Sequence, residues 1–345
     1  MKKEYIAFDS HKRYTLMERE EVVSGKTRQV RILHQQGAIR KALKGCRPRT
    51  PVAVEATGNW YWIVTEIEEA GLKPLLVHPR KAKLMMGMIN KTDKLDVHGL
   101  NLLQRNGTLP TVWIPPAELR DLRDLTRTRV FFTRHRTRLK NRIQATFAKY
   151  GLCLDGFSDP YGGKGRRALE ENIEQMPKQT RLATCMQLEQ LDFVERQVKD
   201  LEKELKELVK VTPDMELVMS LPGIGVILST TITLEVGDVA RFVCAEHLAS
   251  YAGTTPRVHA SGDKVRYGNL RPDVNRYLQW GFVEAGNSVA VNHGRKPARH
   301  VSRLYAAVRQ RRGHSKAIGA VARHLAEAAY HVLSKKEPYR DPSLR

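Results

Sequence analysis

Four carboxylates in the first hundred residues stand where acids are expensive. Asp9 closes the apolar run of YIAFD (5–9), and Glu55 sits at the end of the apolar run in PVAVEAT (51–57). A carboxylate at the end of a buried strand is costly unless it is paired or holds a metal. Asp93 and Asp96 lie three residues apart at the start of a helical pattern, so both can face one way. If adjacent strands deliver one carboxylate each and an overlying helix delivers two, only a cation relieves their repulsion. A hard divalent ion with oxygen ligands suits that set, with magnesium as the default. Two such ions clamp the attacking and leaving oxygens in phosphodiester cleavage. The same acids also fit separate caps and salt bridges, Asp93 being a natural N-cap. Spacing alone leaves both readings open.

The elements that must position these acids read as an α/β layer. YIAFD is a buried strand, with 13–19 and 27–33 as its partners in a meander and a short helix at 38–44. Residues 51–57 form a second buried strand. Helical periodicity covers 60–70 and stops at Gly71, and 72–79 is a third strand closed by Pro79. A further helix spans about 94–104, so the first domain is expected at 1–110.

Beyond a linker at 110–116, a long helix is expected at 118–150. It carries ten Lys or Arg against three acids, including a stripe of Arg127, Arg129, Arg134, Arg136, Arg138, Lys140 and Arg142. Such a stripe repels itself unless a polyanion lies near, which favours contact with a nucleic-acid backbone over a merely solvated face. Residues 151–168 read as irregular. In 188–210, Leu191, Val194, Val198, Leu201, Leu205 and Leu208 follow heptad spacing. This predicts a helical coiled-coil middle region at 111–211, paired within one chain or between chains. The remainder, 212–345, reads as a third and mainly helical domain. Its interval 293–316 holds eight Lys or Arg, Arg311 and Arg312 among them, and no acid. The last eleven residues are expected to fray.

Composition narrows the function. In 345 residues, 59 Lys and Arg face 37 acids, a formal charge of +22 that argues for a polyanionic partner. Hydrophobic residues at 41% exclude a wholly disordered chain. No apolar run approaches the ~18 residues needed to cross a bilayer, and YIAFD follows Met1 without a leader pattern. A cytoplasmic protein without a membrane partner is expected. Cys46, Cys153, Cys185 and Cys244 are scattered without metal-ligand spacing, which favours buried thiols over a zinc site.

Two glycine-containing segments invite chemistry. LPGIGV (221–226) lacks the third glycine of a dinucleotide loop and fits a hairpin between helices, either a plain turn or one whose backbone N–H groups approach a phosphate. Ser261 lies in HASGDKVRYGN beside Arg257, Lys264 and Arg266. Serine before glycine is ordinarily a turn residue.

YIAFDSHK (5–12), VEATGNWYW (54–62) and KTDKLDVHGL (91–100) together resemble the motifs of the RuvC-like domain of the DEDD insertion-sequence transposases, the bridge-RNA-guided recombinases. Residues 221–242 and 248–265 resemble the second, transposase domain of that family, with Ala260 where a serine is common and LRPDVNRYL lacking a usual glycine. The resemblance implies a ribonuclease-H-like N-terminal fold in which Asp9, Glu55, Asp93 and Asp96 hold metal. It also implies that Ser261 is a nucleophile toward DNA, with Lys264 and Arg266 beside it. The partners it implies are donor and target DNA, a structured guide RNA encoded by the element, and further copies of the chain, as a dimer that becomes a tetramer in synapsis. A junction nuclease that uses water and a non-catalytic nucleic-acid organiser are the competing readings.

Overall fold

Ile6 and Phe8 point to one side of the first strand, Ala7 and Asp9 to the other, and this alternation organises the N-terminal third of the chain. The computed structural model describes residues 4–87, 92–153, 156–157, 159–262, 264–271 and 273–342, and these divide into two compact units at Pro115. In the first unit β1 (Glu4–Ser10), β2 (Tyr14–Glu21) and β3 (Thr27–Leu33) form an antiparallel meander. After α1 (Ala38–Ala42), β4 (Pro51–Glu55) joins parallel to β1. After α2 (Trp60–Glu69), β5 (Lys73–Val77) joins parallel to β4, which gives the order β3-β2-β1-β4-β5. Two further helices follow, α3 (Pro79–Met86) and α4 (Asp93–Arg105).

Each sheet face has its own core. Phe8, Val52 and Val54 pack with Ile39 of α1 and with Ile63 and Ile67 of α2. On the opposite face Ala7 and Ala53 meet Val97, Leu100 and Leu103 of α4. The small alanines let α4 lie close to the strands, and the helix presents its 3-4 spaced apolar residues to them.

The second unit opens with α5 (Ala117–Lys149), α6 (Gly163–Glu174) and α7 (Lys178–Leu208). Arg129 meets Glu202, Lys140 meets Glu195 and Tyr150 meets Thr180, so α5 and α7 run antiparallel within one chain. Leu188, Leu191, Val194, Val198 and Leu205 are buried, which takes up most of the heptad seam; Leu208 is exposed. The chain continues through α8 (Pro213–Met219), α9 (Val226–Val236), a short 3-10 turn and α10 (Ala245–Tyr251). A two-stranded hairpin, β6 (Pro256–Ser261) and β7 (Lys264–Leu270), precedes α11 (Arg276–Asn292), α12 (His300–Arg312) and α13 (His314–Lys335). Phe282 of α11, Val321 and Leu325 of α13, Ile232 of α9 and Leu248 of α10 share its core.

A buried charge network ties α5 to this core. Arg127 donates to both carboxylate oxygens of Glu235, at 2.6 and 3.0 Å, and Asn275 donates to Oε2 at 2.8 Å. Arg123 donates to the carbonyls of Leu234 and Glu235, the last turn of α9, where guanidinium hydrogen bonds satisfy the helix's orphan acceptors. Burial pushes the Arg123 guanidinium down from its ordinary value, and Glu235 offsets this.

Several expectations need correction. Pro79 starts α3 rather than closing the region, because proline suits the first helical turn. Seven of the eighteen residues in the supposedly irregular 151–168 belong to a helix or its cap, and α7 begins ten residues before 188. The glycine-rich stretch around Ser261 is a β-hairpin. The C-terminal tail is tied down through residue 341: Tyr339 N–H donates to Ser220 Oγ, and Asp341 accepts from the His300 N–H. Of the four thiols only Cys46 is buried, and Cys153 is exposed. No helix among the described residues is long and apolar enough to cross a membrane.

Candidate metal centre and nucleic-acid interface

Strand register sets the first site. Phe8 stands opposite Val54 in the parallel pair, so Asp9 and Glu55, each one residue further, lie at the adjoining C-terminal ends of β1 and β4. Alternation puts both on the Ala7 and Ala53 side, which α4 covers. Asp93 and Asp96 occupy the first turn of that helix. Thr92, not Asp93, is the cap, its hydroxyl accepting from the Leu95 N–H, so Asp93 is available for other work. The strands and helix therefore bring Asp9, Asp93 and Asp96 together, with Glu55 at the end of the strand next to Asp9.

Two further residues complete the corner. His11 Nε2 lies 3.1 Å from Asp9 Oδ2 and 3.2 Å from Asp93 Oδ2. Tyr14 OH donates to Asp93 Oδ2 at 2.6 Å, and that bond holds the Tyr14 phenol above its ordinary range. Ligand atoms of Asp9, His11 and Asp93 all fall within 4.8 Å of one another, close enough to share one cation. Asn59, in the loop after β4, donates to the His11 carbonyl at 2.8 Å and so fixes the turn that carries the imidazole.

Electrostatics mark Asp9 as unusual. It is 7% exposed, and burial raises its carboxyl above the ordinary value; nearby His11 pulls it down, while Asp96 and Asp93 push it up. Asp9 Oδ2 and His11 Nε2 are shielded from water, and neither meets hydrogen-bond geometry. Among the other buried acids of the unit, Glu20 accepts from Arg105 at Oε1 while its Oε2 has no hydrogen-bond partner among the described residues, and Glu18 and Glu66 are better supplied. Glu18 accepts from Gln29, His98 and Asn101 at 2.7–3.0 Å. Glu66 accepts N–H groups of Gly37, Ile39 and Arg40 at the start of α1. A shielded carboxylate oxygen and imidazole nitrogen in contact with each other, beside two more acids, fit a divalent cation.

The second site is built differently. Ser261 ends β6 and Gly262 turns the hairpin with φ of +57°, a left-handed conformation that suits glycine. Both strands stand in solvent: Val258, Val265 and Tyr267 are 59%, 56% and 71% exposed. Arg257, Lys264 and Arg266 are exposed on the same ribbon. His259 is two residues from Ser261 and so shares its face. Asp263 lies outside the described residues. The ribbon's root is fixed: Asn275 N–H bonds the Tyr251 carbonyl, and Gln279 donates to the Gly253 carbonyl.

The basic stripe on α5 divides. Arg127, Arg129 and Lys140 make ion pairs with Glu235, Glu202 and Glu195. Arg134, Arg138 and Arg142 are exposed, and Arg136 is half-buried. Arg311 and Arg312 are exposed in the last turn of α12.

Comparison with known proteins decides the family. A transposase profile of the IS110 DEDD type matches residues 8–151, and a profile described as the transposase IS116/IS110/IS902 family matches residues 215–302. The chain belongs to the IS116/IS110/IS902 family of transposases. It is 26% identical over 318 residues to the transposase for insertion sequence element IS1111A of Coxiella burnetii, covering 91% of this chain and 84% of that one. It is also 26% identical over 305 residues to the pilin gene-inverting protein of Moraxella bovis, covering 83% of this chain and 80% of the relative. A shorter match, 33% over 139 residues, joins it to the mini-circle putative transposase for IS117 of Streptomyces coelicolor, with 40% of this chain and 31% of that one covered.

As a transposase the protein acts on DNA, and both sites lie inside the matched segments. His11 and Tyr14 are the residues of the first site that reading the acids missed. His11 had a signal, since it stands two residues past Asp9 in FDSHK. Tyr14 had none, because its approach to Asp93 spans 79 residues.

Proposed function

We propose that this transposase cuts and exchanges DNA strands with two sets of its own residues, the acid corner around Asp9 and the hydroxyl of Ser261. The observation that carries the reading is the convergence of Asp9, His11 and Asp93, whose ligand atoms lie within 4.8 Å of one another with Asp9 nearly shielded from water. Asp9, His11 and Asp93 would hold magnesium, with Glu55 and Asp96 completing an oxygen-rich set. Magnesium bound there supplies Lewis-acid stabilisation of the charge that develops on phosphodiester oxygens. Asn59 and Tyr14 orient His11 and Asp93 so that little reorganisation accompanies loading.

Ser261 Oγ forms a bond to phosphorus as the bond from phosphorus to the strand oxygen breaks. The serine proton leaves and the departing strand oxygen takes one up, so the phosphodiester is conserved as a serine ester. Attack by a hydroxyl of the exchanging strand then reverses the step and rejoins DNA. A serine hydroxyl is a weak nucleophile at neutral pH and needs a base. His259, on the same face of β6, is the nearest candidate to take its proton.

The strand order of the first unit, three antiparallel strands followed by two parallel ones, supports a ribonuclease-H-like (RuvC-like) reading. Exposed Arg134, Arg138 and Arg142 together with Lys264, Arg266, Arg311 and Arg312 support backbone contacts to DNA and to a guide RNA. Subunit pairing, a dimer that becomes a tetramer in synapsis, belongs to the same reading.

A strand-exchange assay tests the proposal. Asp9→Ala and Ser261→Ala should each bind DNA yet yield no recombinant product. Cleavage that survives in Ser261→Ala but needs Asp9 would identify a nuclease using water. RNA that copurifies should be discrete when sequenced, and recombination by protein stripped of RNA would end the guide role.

A further inference from the structure

Most of the half-buried cations in the second unit have carboxylate partners, as Arg127, Arg129 and Lys140 do. Three exposed cations between α11 and α12 have none among the described residues. Arg295, Lys296 and Arg299 line a cleft of about 390 Å³, and among the described residues no carboxylate lines it or pairs with them. Its floor includes Ser302, 4% exposed, whose hydroxyl has no hydrogen-bond partner among the described residues. The opposite wall is the turn at Pro222 and Gly223. Gly223 has φ of +82°, and a Cβ there would sit 2.5 Å from the Ala285 carbonyl oxygen. Glycine therefore lets the turn press onto α11 and close the cleft.

Three like charges within five residues, held against a wall with an unspent hydroxyl donor, form a site for an anion. The cleft excludes a large apolar ligand because its polar groups would be left unmatched. We propose that this cleft binds a phosphodiester of the nucleic-acid backbone, a contact separate from the Ser261 ribbon. The proposal rests on the reading that the chain works on DNA. α11 runs 17 residues from the ribbon's root to the cleft. That is roughly 25 Å at the helical rise, or about seven base-pair rises of straight duplex. The cleft would then grip DNA well away from the strand being cut, contributing affinity rather than chemistry.

The test uses the full chain carrying Arg295→Gln, Lys296→Gln and Arg299→Gln together. All three side chains are exposed, so thermal unfolding should be unchanged. Affinity for duplex DNA should fall at least tenfold at moderate salt, and the slope of log affinity against log salt should flatten by about one unit or more. Ser302→Ala should weaken binding severalfold without altering the slope, because it removes a hydrogen bond and no charge. At saturating DNA the triple variant should still form the Ser261 adduct. A folded triple variant with unchanged affinity and slope overturns the proposal. So does loss of inorganic phosphate binding in a variant whose DNA binding is intact, since the cleft then serves a free anion. If Ser261 never forms an adduct but the triple variant still loses affinity and slope, the cleft stands and the proposed strand chemistry falls.

Discussion

The acid corner and the serine ribbon are opposites in construction. Asp9 sits on a central strand under α4, nearly shielded from water, and that burial raises its carboxyl. Ser261 stands at the tip of a hairpin exposed on both faces. A two-stranded ribbon is marginal in isolation, and this one keeps its shape because its root is bonded to α10 and α11. On the proposed reading, the first site is pre-formed at a cost to stability, and the second is presented for a substrate to complete. Substitutions should therefore separate the two, with stability responding at the corner and only chemistry responding at the ribbon.

The largest effect expected is on activity. Asp9→Ala and Ser261→Ala should each lower recombination by about a thousandfold or more, the scale seen when one member of an interdependent catalytic set is lost. Their unfolding curves should differ: Ser261→Ala should match the parent, and Asp9→Ala should not.

The next effect is structural and lies in neither site. Glu235→Ala leaves Arg127 and Arg123 without their buried carboxylate, and breaking a buried pair costs about 3–5 kcal/mol. Denaturant unfolding of the second unit should show that loss. An unchanged midpoint would mean that the network does not hold α5 to α9.

Metal should sharpen the contrast. At a hundred times its dissociation constant a divalent ion should stabilise the chain by about 2.7 kcal/mol, and Asp9→Asn should abolish that gain. Because Asp9 is held above its ordinary value, protonation competes with metal in the folded protein. Metal affinity should fall as pH drops through the raised value, measured by calorimetry at two pH values. The smallest effect is the most diagnostic. Without metal, a raised carboxyl means that the ionised form opposes folding, and this penalty is present at neutral pH and relieved as pH falls. Asp9→Asn should thus stabilise the metal-free chain, with a raised unfolding midpoint. Glu18→Gln, which removes an acid with three donors, should destabilise it.

Much of the acid corner was legible because an apolar run that ends in an acid needs a reason. Asp9 and Glu55 follow from that rule, and heptad spacing disclosed the α7 seam. Other features had no local signature. The ribbon's residues face solvent on both sides, so no alternation marks β6 and β7. The first turns of α7 bury Thr184 where a seam leucine would have shown the helix. Paired and unpaired arginines on α5 look alike in sequence, because Glu202 and Glu235 reach them from 73 and 108 residues away.

The most direct test joins both regions in one measurement. DNA is incubated with the parent protein and any RNA that copurifies with it in magnesium, the reaction is denatured, and the covalent adduct is mapped by peptide mass spectrometry. The adduct should lie on Ser261, disappear in chelator, and be absent from Asp9→Asn even when that variant has DNA bound. An adduct on another residue, or an undiminished adduct in Asp9→Asn, would contradict the account.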